Sequence, residues 1–255
     1  MVPAPSRSEV LVRNFALRAG LASVILVSSV GAFAQQVVVP GALANVEGNT
    51  NNNWPFNYSF FPLNGQRYQQ IYSSTEFTSG PMLITGMSFR PDATFGNPFS
   101  STINFSISLS TTSAAVDGLS FTFADNIGAD ATVVRAGAIN VSSADTGPAG
   151  GPKDFDIFIS FSTAFMYDPS AGNLLLDVFG LGPNSSTPMD AENTLGDSIS
   201  RVFTFDNSPV GGVADQRDTW GLVTRFDTQA VPEPATMAAL GLGTLALLRK
   251  RKKSA

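Results

Sequence analysis

The stretch Thr102-Ile103-Asn104-Phe105-Ser106-Ile107-Ser108-Leu109 decides the fold class. Ile103, Phe105, Ile107 and Leu109 take every second position, and Thr102, Asn104, Ser106 and Ser108 fill the gaps. Side chains of an extended chain point alternately to opposite faces, so this period turns four apolar groups toward a core and four hydroxyl or amide groups toward water. It is the pattern of a half-buried antiparallel strand. Working outward, Phe155, Ile157, Ile159 and Phe161 repeat it, and so do Leu174, Leu176 and Val178 against Asn173, Leu175 and Asp177. Further strands are expected at 68–73, 83–90, 119–123, 132–141, 199–205 and 222–226, the last of these closing the domain. Between them stand turn clusters such as Pro91-Asp92, Gly96-Asn97-Pro98, Asp168-Pro169 and Gly172-Asn173. No helical periodicity persists, so the expectation is an all-β domain, an antiparallel β-sandwich of jelly-roll or Greek-key type, with a β-barrel as the alternative.

Composition narrows the chemistry. The 255 residues include no His and no Cys, which removes Ser-His-Asp and Cys-His triads, thiolate or imidazole zinc sites and disulfide frameworks. Residues 35–230 hold 18 acidic and 7 basic side chains, a net of −11, which opposes binding to a phosphate backbone; no nucleic-acid partner is expected. Asp145-Thr146-Gly147 is the tripeptide that places an aspartic-protease carboxylate, but there is no second copy and Pro148 follows, so it reads as a turn. Asp125 with Asp130, and Asp190 with Glu192 and Asp197, have spacings that would suit a structural Ca²⁺, without completing a calcium loop; no other cofactor is expected. No pair of carboxylates announces a glycoside hydrolase, and no catalytic residue is assigned. Residues 45–57 are Asn-rich yet carry Trp54 and Phe56, which favours an ordered loop or edge segment. Trp54 and Trp220, with Tyr58, Tyr68, Tyr72 and Tyr167, are candidates for stacking on sugar rings, weighed against ordinary core packing.

The two ends read as targeting segments. Arg7, Arg13 and Arg18 precede an apolar, small-residue run at 19–30, followed by Ala32-Phe33-Ala34 and Gln35. This is the layout of a secretory signal peptide, with small side chains at Ala32 and Ala34 for signal peptidase and cleavage before Gln35. At the other end, Val231-Pro232-Glu233-Pro234 leads into an uncharged segment at 235–248 and then Arg249-Lys250-Arg251-Lys252-Lys253. As a helix, 235–248 would reach only about 20 Å at 1.5 Å per residue, against roughly 30 Å of hydrocarbon. The five terminal cations would hold that end in the cytoplasm.

This tail resembles the PEP-CTERM sorting signal of exported bacterial proteins. The resemblance implies recognition of Pro232, Glu233 and Pro234 by exosortase, a membrane processing enzyme, with Arg249, Lys250, Arg251, Lys252 and Lys253 as the cytoplasmic anchor. The expected organisation is a signal peptide at 1–34, an exported β-domain at 35–230 and a sorting signal with a short transmembrane helix at 231–255. The expected protein is a non-enzymatic, structural or adhesive component of the cell surface or extracellular matrix, anchored in the inner membrane before processing. It would act in an exopolysaccharide or biofilm setting, with a carbohydrate-binding module as the alternative and a glycoside hydrolase behind it.

Overall fold

The computed structural model describes residues 34–57, 65–148, 150–180, 185–204 and 212–231. Ala32, Tyr58, the sorting tripeptide Pro232, Glu233 and Pro234, and the basic run Arg249, Lys250, Arg251, Lys252 and Lys253 lie outside them, as do residues 1–33 of the expected signal peptide and the segment expected as a C-terminal helix. Among the described residues no helix is long and apolar enough to cross a membrane.

Every sheet is antiparallel. A four-stranded sheet has the order β1 (Ala34–Val39), β13 (Thr224–Ala230), β4 (Met82–Phe89), β7 (Ile157–Tyr167). A six-stranded sheet has the order β11 (Gln216–Asp218), β10 (Ile199–Phe203), β3 (Gln66–Tyr72), β8 (Asn173–Gly180), β5 (Phe99–Thr112), β6 (Thr132–Ser143). A small third sheet joins β12 (Trp220–Leu222), β9 (Met189–Asn193) and β2 (Thr50–Asn52).

The deciding strand behaves as its period dictates: Ile103, Phe105, Ile107 and Leu109 are buried, while Thr102 and Asn104 are exposed. A bulge between Ile107 and Ser108 leaves Val134 of β6 without a partner, and Val134 turns into the core. One hydrophobic cluster takes residues from all three sheets, among them Phe105, Leu176, Ile84, Phe226 and Leu222. Aromatic rings meet edge to face within it, Phe56 on Phe105 and Tyr72 on Phe226, with centroids 5.3 and 5.0 Å apart.

Three expected strands differ. Residues 119–123 form no strand. A segment running from Ala114 to the one-turn helix α1 (Phe123–Asn126) crosses the outer face of the six-stranded sheet, where Leu119 and Phe123 pack on Ile71, Leu175 and Val202. The middle of that sheet is therefore covered on both faces, which is why Leu175 interrupts the alternation of β8. The strand expected at 155–161 begins at Ile157 and runs to Tyr167. Its first residues are held by a loop instead: Asp156 accepts from Ala144 N–H, and the Phe155 carbonyl accepts from Arg225. The strand expected at 222–226 is two strands, because Val223 N–H bonds to the Asp190 carbonyl and sends the chain from the small sheet to the four-stranded one.

Candidate functional site

The fold brings its own ends together. Ala34 pairs with Gln229 and Gln35 with Thr228, so the expected signal-peptidase site lies beside the last strand. Val231 N–H is 3.5 Å from the Pro81 carbonyl, so the backbone is tied to the sheet up to the residue before Pro232. The folded sheet therefore runs directly into the Pro-Glu-Pro motif with no spacer.

At the far side of the domain a buried ion pair organises two loops. Arg90 follows β4 and Asp190 lies in β9; their side chains are 1% and 0% exposed, and Arg90 Nε and Nη2 sit 2.7 and 2.6 Å from Asp190 Oδ2. Arg90 Nη2 also donates to the carbonyls of Leu43 and Val46, and Asp190 Oδ1 accepts from Gly48 N–H. Glu47, on the same loop, accepts from Ala93 N–H with one oxygen and buries the other without a partner. Burial pushes its carboxyl up to about 7, with Asp190 and Asp92 adding to the effect and Arg90 opposing it. Burial likewise raises Asp190 to about 6 against the pull of Arg90.

Next to this pair opens a cleft of about 590 Å³ between the loop at Ala44 and Asn45 and the loop from Pro148 to Asp154. Arg90, Arg225 and Phe155 also line it. The Phe155 ring packs against both guanidinium groups, its centroid 4.8 Å from that of Arg90 and 5.1 Å from that of Arg225. Arg225 donates through Nε to Ser88 Oγ and through Nη2 to the Phe155 carbonyl. Lys153 Nζ lies 3.4 Å from Asp145 Oδ2. Sequence reasoning had no means of finding this cleft, since Arg90, Lys153 and Arg225 are scattered along the chain and only the folded sheet gathers them.

The two tryptophans are not alike. Trp220 is 41% exposed at the start of β12, whereas Trp54 is half-buried with its ring 5.3 Å from that of Phe203. The Arg201 guanidinium lies between the aromatic groups, 4.3 Å from Phe203 and 5.9 Å from Trp220. Tyr68, Tyr72 and Tyr167 are fully buried, which removes them from any sugar-stacking surface. Trp220 pairs with Asn193, whose Oδ1 accepts from the Thr219 hydroxyl.

The acidic groups considered for Ca²⁺ have local partners. Asp125 accepts from Ser120 Oγ, Asp130 from Thr111 N–H, Asp197 from Ile199 N–H, and Asp190 is engaged with Arg90. Among the described residues no three acidic side chains converge as a metal site. Asp145 sits at φ 55° and Gly147 at φ 140°, the backbone of a turn closed by Asp154 N–H on the Thr146 carbonyl.

Comparison with known proteins bears on the C-terminus. No curated protein and no solved structure matches the chain. Residues 230–252 match the family model of the PEP-CTERM protein-sorting motif. The chain thus carries at its C-terminus the PEP-CTERM sorting signal, the mark of an exported protein that exosortase processes and that this signal anchors in the membrane.

Proposed function

We propose that the described domain is a two-layer β-sandwich that works without catalysis, as a structural or adhesive component of the cell surface or extracellular matrix, in contact with exopolysaccharide. The observation that carries this reading is the outer face of β5 and β6. Ser100, Thr102 and Asn104 stand exposed opposite Ser142, Asn140 and Ala138, and no charged side chain interrupts that row. An uncharged surface of hydroxyl and amide groups suits the hydroxyls of a polysaccharide chain, each of which both donates and accepts. A sorting signal fused directly to the last strand would deliver that face outside the cell. A hydrolase would need two carboxylates facing one cleft, and the cleft beside Arg90 has Asp154 as its one acidic lining residue.

The exposed Trp220, next to Thr219 and opposite Asn193, favours a second reading as a carbohydrate-binding module. Co-sedimentation of the extracellular protein with exopolysaccharide from its host tests both. The matrix reading predicts binding that falls when Thr102→Glu and Asn140→Glu place charge on the β5–β6 face and that survives Trp220→Ala. Loss with Trp220→Ala alone would select the binding-module reading, and absence of binding would remove both.

A further inference from the structure

We propose that the cleft floored by Arg225, Arg90 and Phe155 is a binding site for a carboxylate-bearing sugar, such as a uronate unit of an acidic exopolysaccharide. The proposal rests on the matrix reading above and gives it a ligand class. Arg225 carries the argument. It is part-buried, and its recorded partners are neutral, the Ser88 hydroxyl and the Phe155 carbonyl. The ion pairs among the described residues join Arg67 to Asp177, Arg90 to Asp190, Lys153 to Asp145 and Arg201 to Asp218, leaving Arg225 without a carboxylate.

A guanidinium presents five N–H groups, and the two bonds above leave Arg225 with donors to spare in a domain where acids outnumber bases 18 to 7. Packing on Phe155 and the bond it donates to Ser88 Oγ hold the group in place, so little of its freedom is lost on meeting a planar, two-oxygen acceptor. Lys153 stands on the facing loop as a second cation, and its tie to Asp145 is a contact with a half-buried group at 3.4 Å that an incoming carboxylate can share.

The walls suit a sugar ring. Pro148, Pro152 and Phe155 supply apolar surface for ring C–H groups and Asn45 an amide for hydroxyls, in a volume within the usual range for small-ligand clefts. Both walls are tethered: the Ala44 side through Arg90 to the Leu43 and Val46 carbonyls, the Pro152 side through Thr146 Oγ1 to Asp154 Oδ2 at 2.7 Å.

The test is calorimetric titration of the processed extracellular protein with oligoglucuronate, with the matching neutral oligoglucoside and with inorganic phosphate, in parallel with Arg225→Gln, Arg225→Lys and Lys153→Gln. The expected result is binding of the uronate and not of the neutral sugar, weakened at least about tenfold by Arg225→Gln and partly retained in Arg225→Lys. Lys153→Gln, on an external loop, covers the case in which Arg225→Gln does not fold, and weakening by that variant supports the site by itself. Phosphate binding as tightly as the uronate would overturn the sugar assignment. Acidic polymer bound equally by the natural protein and by both Gln variants would overturn the cleft and leave the matrix reading standing, whereas no binding to any acidic or neutral polymer would remove both.

Discussion

The side-chain amide of Gln70 grips both backbone groups of Leu222: Nε2 donates to the carbonyl at 2.9 Å and Oε1 accepts from the N–H at 2.8 Å. Gln70 lies on the core side of β3, near the middle of the six-stranded sheet, and Leu222 ends β12 of the small sheet. A single buried amide thus serves as a strand neighbour across a sheet boundary. The Tyr68 hydroxyl donates to the same Oε1, so the join is a closed network with its members satisfied.

Replacing Gln70 with Leu keeps the volume and strips the network. Leu222 N–H and the Tyr68 hydroxyl then lose the Gln70 acceptor in a dry interior, at about 1–3 kcal/mol for each unsatisfied group, while the Leu222 carbonyl keeps the Thr224 hydroxyl. Chemical denaturation should register a loss of about 2–4 kcal/mol. A loss under about 0.5 kcal/mol would mean that Leu222 finds other partners.

Acidity should stabilise the domain. Glu47 and Asp197 are pushed up to about 7 and Asp190 to about 6, each chiefly by burial, while the same groups titrate near pH ~4 in an unfolded chain. Between about pH 4 and 7 the folded chain therefore holds more protons than the unfolded one, and stability declines as pH rises through that window. Thermal melts from pH 5 to pH 8 should show a falling midpoint. Glu47→Gln should flatten the slope and raise the midpoint at pH 8, and an unchanged slope would contradict the assignment to Glu47.

Removing one side of the buried pair should cost more than removing both. Arg90→Met strands the Asp190 carboxylate and frees the carbonyls of Leu43 and Val46, with an expected loss of about 3–5 kcal/mol. Adding Asp190→Leu should recover part of that loss. A double variant less stable than Arg90→Met would show that the pair contributes net stability of its own.

These interactions mark where the sequence stops being informative. Strict alternation placed 102–109 inside β5, which extends beyond it to Phe99 and Thr112, because one face of that strand is core and the other is solvent. It failed at 119–123, where Leu119 and Phe123 seemed strand-like but serve to cover Ile71 and Leu175 from outside. The run Leu174-Leu175-Leu176 held the hint that β8 is buried on both faces. The division at Val223 had no local signal, since its cause is a hydrogen bond to Asp190 and a grip from Gln70, both distant along the chain. The sorting motif was legible in full, being read as an extended peptide whose residues act by their order.

The absence of a spacer before Pro232 has its own consequence. Thr228, Gln229 and Ala230 are locked in pairing with β4, and Thr228 and Gln229 also pair with β1, so an enzyme that reads the motif works against the end of a folded sheet. Inserting five Gly/Ser residues after Val231 should leave the rate of tail removal unchanged or raise it, as followed by pulse-chase. A marked decrease would show that the enzyme also uses the end of the sheet.

Intact-mass analysis of the protein from membrane and extracellular fractions of its native host tests the central claim of export and sorting most directly. The prediction is a chain that begins at Gln35 and has lost its basic tail, with tail loss abolished when Pro232, Glu233 and Pro234 are all replaced by Ala. A tail retained in every fraction, or removed equally in the triple variant, would contradict it.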